Sequence, residues 1–399
     1  MKKTPRKTSA KKAPRKTPAE TAGETSAEIP SDIPGEFPWT RDAWTRATAD
    51  PNSLHHGLLI TGAPGAAKRE FAFSLCQLLL CENPVEKTAA EKSGENPGEK
   101  SSAKIPCNQC RNCKLFRAGT HPDFHMLTTE LEAREGRIAL AAQYCERYQD
   151  AAARERRAKP GKVIAVDQVR LLIERFSMHA HTSARKVALL MPADRLNINA
   201  ANALLKLLEE PPANSFLILL SALPGKLPAT VRSRCMRIPA AAPQPDAAAE
   251  WLRMRLPKND AELAPMLLEA AGGGPLDALK LHAGGFLELQ AQFLRDISAM
   301  MRGAAGALDV AAKFAKHDFP HFVDWLQRVC CGVIRCNAGA GETGGPAAQL
   351  GVRRGQFAPE ALFNLYDRIG YYRGIAREPL NEQLAVEELT LALRRALRS

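Results

Sequence analysis

Residues 57–69 read Gly57-Leu58-Leu59-Ile60-Thr61-Gly62-Ala63-Pro64-Gly65-Ala66-Ala67-Lys68-Arg69. The opening run is continuously apolar, the pattern of a strand buried on both faces. A Gly/Pro turn at 62–65 ends it, and residues 67–80 continue with Phe71, Leu75, Leu78 and Leu79 at helical spacing. A strand that turns through glycines into a helix is the setting of a phosphate-binding loop, G-x-x-x-x-G-K-[ST]. In such a loop the glycines let backbone N–H groups wrap the phosphates, the lysine bridges the β- and γ-phosphates, and the hydroxyl holds Mg²⁺. Here Gly62, Gly65 and Lys68 are present, but the second glycine of the pattern is Ala67 and the hydroxyl position holds Arg69. Ala67 crowds the approach of backbone to phosphate, and an arginine ligates no metal.

Working outward, strands are expected at 123–127, 187–191 and 216–220, with helices at 166–178 and 198–209 and a short helix near 226–233. Pro211-Pro212 stops the second of these helices. Apolar strands alternating with helices imply a parallel sheet covered on both faces. A nucleotide hydrolase on this plan needs an acidic pair at the tip of a neighbouring strand. The strand at 187–191 instead runs into Pro192-Ala193-Asp194. Asp194 comes too late for either role and is expected to cap or orient the next helix. Hydrolysis is not expected, and ATP binding through Lys68 is expected to be weak or absent.

After the Pro-containing link 240–245 the strand signals stop. Residues 246–285 read as a small helical unit with a Gly-rich turn at 272–274, and 286–399 as helical, broken by the Gly-rich loop 338–346. Two stretches read as additions: 83–105 as a flexible insertion, and 130–160 as a charged, exposed helical excursion.

The chain has 399 residues, 55 basic against 43 acidic side chains, and a formal charge of +12. Eight of the basic residues lie in the first sixteen, which hold no acid, so 17–399 carries only 47 against 43. The charge therefore describes an arm more than a folded binding face. Residues 17–36 carry five acids and no base, and 1–36 as a whole has too few large apolar residues to offset ordering entropy. It is expected to be disordered, with order beginning near Phe37-Pro38-Trp39. No run of about 18 apolar residues occurs, so no transmembrane helix is expected, and the charged N-terminus lacks the apolar stretch of a secretory signal. The ten cysteines are accordingly read as thiols or metal ligands. No Ser/His/Asp set and no paired-carboxylate site emerges.

Several elements occur in order. They are the run 58–68, a cysteine cluster at Cys107, Cys110 and Cys113, Gly119-Thr120-His121-Pro122-Asp123-Phe124, Ala200-Ala201-Asn202-Ala203-Leu204-Leu205-Lys206, Leu208-Glu209-Glu210-Pro211-Pro212 and Thr230-Val231-Arg232-Ser233-Arg234-Cys235. Together they resemble the AAA+ clamp-loader subunits of bacterial DNA polymerase III, over roughly 54–240. The resemblance implies an AAA+ α/β domain at 37–240 with a zinc module at 81–113. It further implies a small helical lid at 241–285 and an all-α oligomerisation collar at 286–399. Motor subunits of that family keep an intact phosphate loop, an acidic pair and a sensing arginine, whose place here is taken by Leu276 in Leu276-Asp277-Ala278-Leu279. Three departures in one direction resemble the non-hydrolysing kind of subunit.

Arg234 matches the family's arginine finger, which reaches in trans into a neighbour's ATP site and neutralises transition-state charge; read without the family it is a surface arginine beside Arg232 and Arg237. Cys107-x₂-Cys110-x₂-Cys113 places three thiolates that can wrap one metal ion, and Arg117-Ala118 stands where a ferredoxin pattern wants Cys-Pro. Cys81 matches the family's first ligand, giving a closed, structural zinc site. Cys76, Cys145, Cys330, Cys331 and Cys336 read as core thiols, Cys235 as packed behind Arg234, and His121 as part of a fixed turn. His55-His56 has no companion ligand.

The implied partners are the gamma/tau motor subunits and the delta subunit in a hetero-oligomeric ring, with the sliding clamp and primed DNA reached through the complex and no membrane. The chain would be a cytoplasmic stator within a DNA polymerase holoenzyme. Two other readings are an ATPase motor subunit with an atypical phosphate loop and a zinc-containing DNA-binding protein.

Overall fold

Every residue of the first strand is buried, as its unbroken apolar run requires. The structure, a computed structural model, describes residues 32–50, 53–88, 102–134, 143–148, 161–340, 346–376 and 380–398. In chain order the strands are β1 (Gly57–Thr61), β2 (Val85–Thr88), β3 (Ser102–Ile105), β4 (Phe124–Leu127), β5 (Lys186–Leu190), β6 (Ser215–Ser221) and β7 (Met236–Pro239). Five of them form one sheet, ordered β4-β5-β6-β1-β7, with every neighbouring pair parallel. Side chains alternate between two cores, as strand geometry dictates. Leu58, Ile60, Val187, Leu189, Ile218 and Leu220 face one, whereas Leu59, Ala188, Leu190, Leu217 and Leu219 face the other.

Helix Lys68–Leu80 covers the first face with Phe71, Leu75, Leu78 and Leu79. Helices Val166–Ser177 and Ile198–Glu209 cover the second. Asn197 starts the latter by accepting the Ala200 N–H at 2.7 Å. In such sheets ligands bind beyond the carboxyl ends of the strands, and the loop after β1 lies there.

Helices Pro245–Arg253, Ala264–Ala270 and Pro275–Ala283 form the small unit, and Trp251, Leu252, Leu267 and Ala278 join the same core as helix Lys68–Leu80. An aromatic trio reinforces this joint, with Phe37, Trp39 and Trp251 ring centroids 5.5–5.8 Å apart. The Trp251 Nε1–H donates to Glu36 O at 2.7 Å, and the Trp39 Nε1–H to Ala66 O at 3.2 Å. The N-terminal segment thus ties the lid to the loop after β1. Helices Phe286–Met301, Ala307–Phe314, Phe319–Ala338, Pro359–Ile375 and Glu382–Ala396 close around a separate core.

Four expectations change. The tail does not extend to residue 36: Ile33–Glu36 is a helical turn whose Ile33 is 1% exposed, and residues 1–31 lie outside the described residues. The insertion 83–105 is anchored by the antiparallel pair β2–β3, and its middle, 89–101, is not described. The excursion 130–160 is not simply exposed, because Tyr144, Cys145 and Tyr148 are buried. The Tyr144 hydroxyl accepts the His121 N–H and donates to Phe116 O, each at 3.1 Å; residues 135–142 and 149–160 are not described. Finally, β7 had no sequence signal, since only Ile238 of its four residues is buried; its place beside β1 is set by pairing, not by an apolar pattern.

Candidate functional site

The loop after β1 makes two left-handed backbone turns and is covered by the small helical unit. Gly65 sits at φ 70° and Ala67 at φ 61°, the left-handed region that glycine enters freely and alanine only at a cost. The lid lies directly on Gly65. A Cβ built there would stand 2.8 Å from Gly274 Cα and 3.0 Å from Asp277 Oδ2. One built on Gly274 would stand 2.6 Å from Pro64 O. The Leu276 N–H donates to Gly65 O at 3.3 Å. Gly62 is pressed against Ala240, whose carbonyl oxygen would be 2.5 Å from a Cβ. The Lys68 ammonium folds back to donate to Ala63 O at 2.9 Å. Burial lowers its pKa, and the nearby Asp277 carboxylate opposes that shift.

Across the crevice, Asp194 lies in the turn Ala193–Arg195 rather than at the tip of β5. It does not cap the following helix, which Asn197 does. Instead it accepts the Ser221 hydroxyl at 2.7 Å from the end of β6. Residues 191 and 192, which follow β5, are Met and Pro.

Arg234 follows the short helix Ala229–Arg232, its N–H bonded to Val231 O. Its guanidinium makes two contacts: Nη1 donates to Thr230 O at 3.0 Å, and Nη2 pairs with Glu209 Oε1 at 2.6 Å. The side chain remains 37% exposed. Glu209 belongs to the quoted Leu208–Pro212 stretch, but nothing in the sequence pairs it with Arg234. Cys235 is partly buried against the second core, and burial pushes its thiol up to about 11, an unreactive state.

The four cysteines converge. The Sγ atoms of Cys81, Cys107, Cys110 and Cys113 all lie within 4.8 Å of one another. Cys81 is 3.5 Å from Cys107 and 4.0 Å from Cys110, and Cys107 is 4.0 Å from Cys113. A tetrahedral metal with M–S bonds of about 2.3 Å needs sulfurs about 3.8 Å apart, so the group can hold such an ion. The Cys107, Cys110 and Cys113 N–H groups donate in turn to the sulfurs of Cys81, Cys107 and Cys110, at 3.3–3.4 Å. These bonds favour thiolates. Cys81 is held down at about 5, chiefly by the Cys113 thiol that donates to it, and Cys113 is pushed up correspondingly.

His121 is a buried turn residue whose Nδ1 accepts the Asp123 N–H at 3.1 Å. His55 and His56 stack on each other and bond backbone groups.

Residues 43–243 match the family model described as DNA polymerase III, delta subunit. The chain is 33% identical over 301 residues to DNA polymerase III subunit delta' of Pseudomonas aeruginosa, covering 75% of this chain and 77% of that one. It is 34% identical over 252 residues to the delta' subunit of Escherichia coli, covering 62% and 61%. A solved gamma subunit-related protein of Thermotoga maritima aligns over 90% of this chain and 99% of its own, at a TM-score of 0.42 and 16% identity.

Proposed function

The chain belongs to the family of DNA polymerase III delta' subunits, and on that premise we propose that it is a non-hydrolysing stator of a cytoplasmic replicative clamp loader. In this reading it sits in a ring with gamma/tau motor subunits and the delta subunit, and it presents Arg234 in trans to a neighbour's ATP site while the sliding clamp is loaded onto primed DNA. The observation that carries the reading is the lid backbone resting on the loop after β1. Gly274, Leu276 and Asp277 lie where a nucleotide's phosphates would approach Gly65, and Lys68 is turned to its own loop. Ala67, Arg69 and the apolar tip of β5 support the same conclusion.

Arg234 supports the trans role because it is half-exposed yet fixed at two points. A guanidinium held in place loses little freedom when it meets a γ-phosphate and adds positive charge where the transition state needs it. The four-cysteine group would hold a structural Zn²⁺: four thiolates leave no coordination position open, so the ion would stabilise the turn rather than do chemistry.

The test is DNA-stimulated ATP hydrolysis by the reconstituted complex carrying Arg234→Ala. Turnover at the site this residue serves should fall by roughly 10³-fold, the lower end of arginine-finger effects, with assembly intact. Hydrolysis at the unmutated rate in a fully assembled complex would sink the finger. ATP turnover by the purified chain would revive the motor-subunit reading.

A further inference from the structure

A second concave surface lies at the other end of the sheet, where β4 and β5 begin, away from the loop after β1. A cavity of about 330 Å³ opens there, lined by His125, Arg147, Arg175, His179, His181 and Lys186 among others. One carboxylate, Asp123, reaches it. Its oxygens accept N–H bonds from His181, Thr182 and Ser183 at 2.6–2.8 Å and the Thr182 hydroxyl at 3.0 Å. Burial pushes this carboxyl up, but those donors outweigh it and hold the group below the usual range. Its negative charge is thus already engaged.

The cations are not matched in the same way. Lys186 is 5% exposed, and its ammonium donates to Phe176 O and Met178 O at 2.5 Å each. It thereby neutralises the carbonyls at the end of helix Val166–Ser177 that would otherwise repel an anion. The Arg175 guanidinium lies 5.2 Å over the Tyr148 ring, and that of Arg147 5.2 Å over Tyr144. Arg147 also donates to His121 O at 3.3 Å. Among the described residues none of these three forms an ion pair with an acid. All three act on one point: His125, hydrogen-bonded to the Tyr148 hydroxyl, is held at about 4 by burial, then by the fields of Arg147, Lys186 and Arg175 against that of Asp123.

Converging cations in a walled cavity concentrate positive potential, and guanidinium forks match phosphate oxygens in geometry as well as charge. We propose that this cavity is a phosphate-binding site, with Arg147 and Arg175 as its donors and Lys186 as a fixed background charge. A free or nucleotide phosphate and the backbone of a nucleic acid offer the same chemistry, and the two sources can be separated.

The experiment uses the full chain and Arg175→Gln, with Arg302→Gln, an exposed arginine at the end of helix Phe286–Met301, as a control of equal charge loss. Calorimetry with pyrophosphate and fluorescence anisotropy with a short single-stranded DNA are run on all three. Because the basic arm is common to all, it cancels in the comparison. Losing one charge-assisted contact should weaken binding about tenfold, and Arg302→Gln should bind as the parent does. Loss confined to pyrophosphate identifies a free or nucleotide phosphate; loss of DNA affinity identifies a nucleic-acid backbone. If Arg175→Gln changes neither, the proposal is overturned. Should that variant fail to fold, hydrogen exchange on the unmutated chain decides: amides of 179–186 slowed by pyrophosphate or DNA support the site, and amides unaffected by both refute it.

Discussion

Gly65 and Gly274 meet with no room for a methyl group between them, so each is required by the other. Gly65→Ala would add a Cβ at φ 70° against lid backbone, and it should destabilise the chain by about 1–3 kcal/mol. Gly225→Ala is the matched comparison, since nothing lies within 4 Å of a Cβ there; its stability from urea unfolding should stay within about 0.5 kcal/mol of the parent's. The departure from the phosphate-loop pattern could be read from Ala67 and Arg69 alone. The lid's contact with the loop could not, because a glycine in a Gly-rich turn looks the same whether or not a distant segment presses on it. Arg234 was singled out only through its motif, and its partner Glu209 was not, because no local periodicity links a helix end to a turn beyond the next strand.

At the scale of elements, the cysteine module shows what spacing can and cannot reveal. Cys107, Cys110 and Cys113 advertise themselves by interval. Cys81 does not, and the strands that bring it to Cys107 are the four-residue segments VEKT and SAKI, too short and too polar to stand out as strands. Their pairing, Val85 opposite Ile105, closes the loop. Helix Arg111–Arg117 then begins with Cys110 sulfur accepting the Cys113 N–H at 3.4 Å. Elemental analysis of the purified chain should find about one zinc ion, and Cys113→Ser should abolish it and lower the thermal midpoint. Because a metal bound only by the folded state stabilises it by mass action, a chelator should lower the midpoint of the parent and leave the variant unmoved. A metal-free parent would refute the site.

The whole molecule carries two buried histidines in its α/β domain, and they set its acid sensitivity. Burial is the main reason that His121 and His125 are held near 4, against 6.5 for a free imidazole. The unfolded chain therefore takes up their protons first. Stability that is full above about pH 6.5 is lost as the pH falls toward 4, by up to about 3 kcal/mol for each. Urea midpoints between pH 7 and pH 4.5 should fall accordingly, and His125→Gln should flatten that slope; an equal slope in the variant would refute the assignment. On this scale the sequence was most informative where apolar runs are unbroken, as in β1, β5 and β6. It was least informative at joints. Residues 32–36 look like the end of a solvated tail, yet Ile33 is buried and the Glu36 carbonyl holds Trp251.

The left-handed Ala67 carries an implication about reversibility. Its backbone still follows the course a glycine would take, so Ala67→Gly would relieve strain rather than create it. If the chain is the proposed non-hydrolysing subunit, the obstacle to turnover lies elsewhere: a hydroxyl at 69, acids at 191 and 192, and a lid lifted from Gly65 would all be needed together. On that reading no single substitution restores turnover, and Gly65 and Gly274 hold each other in place whatever stands at 68.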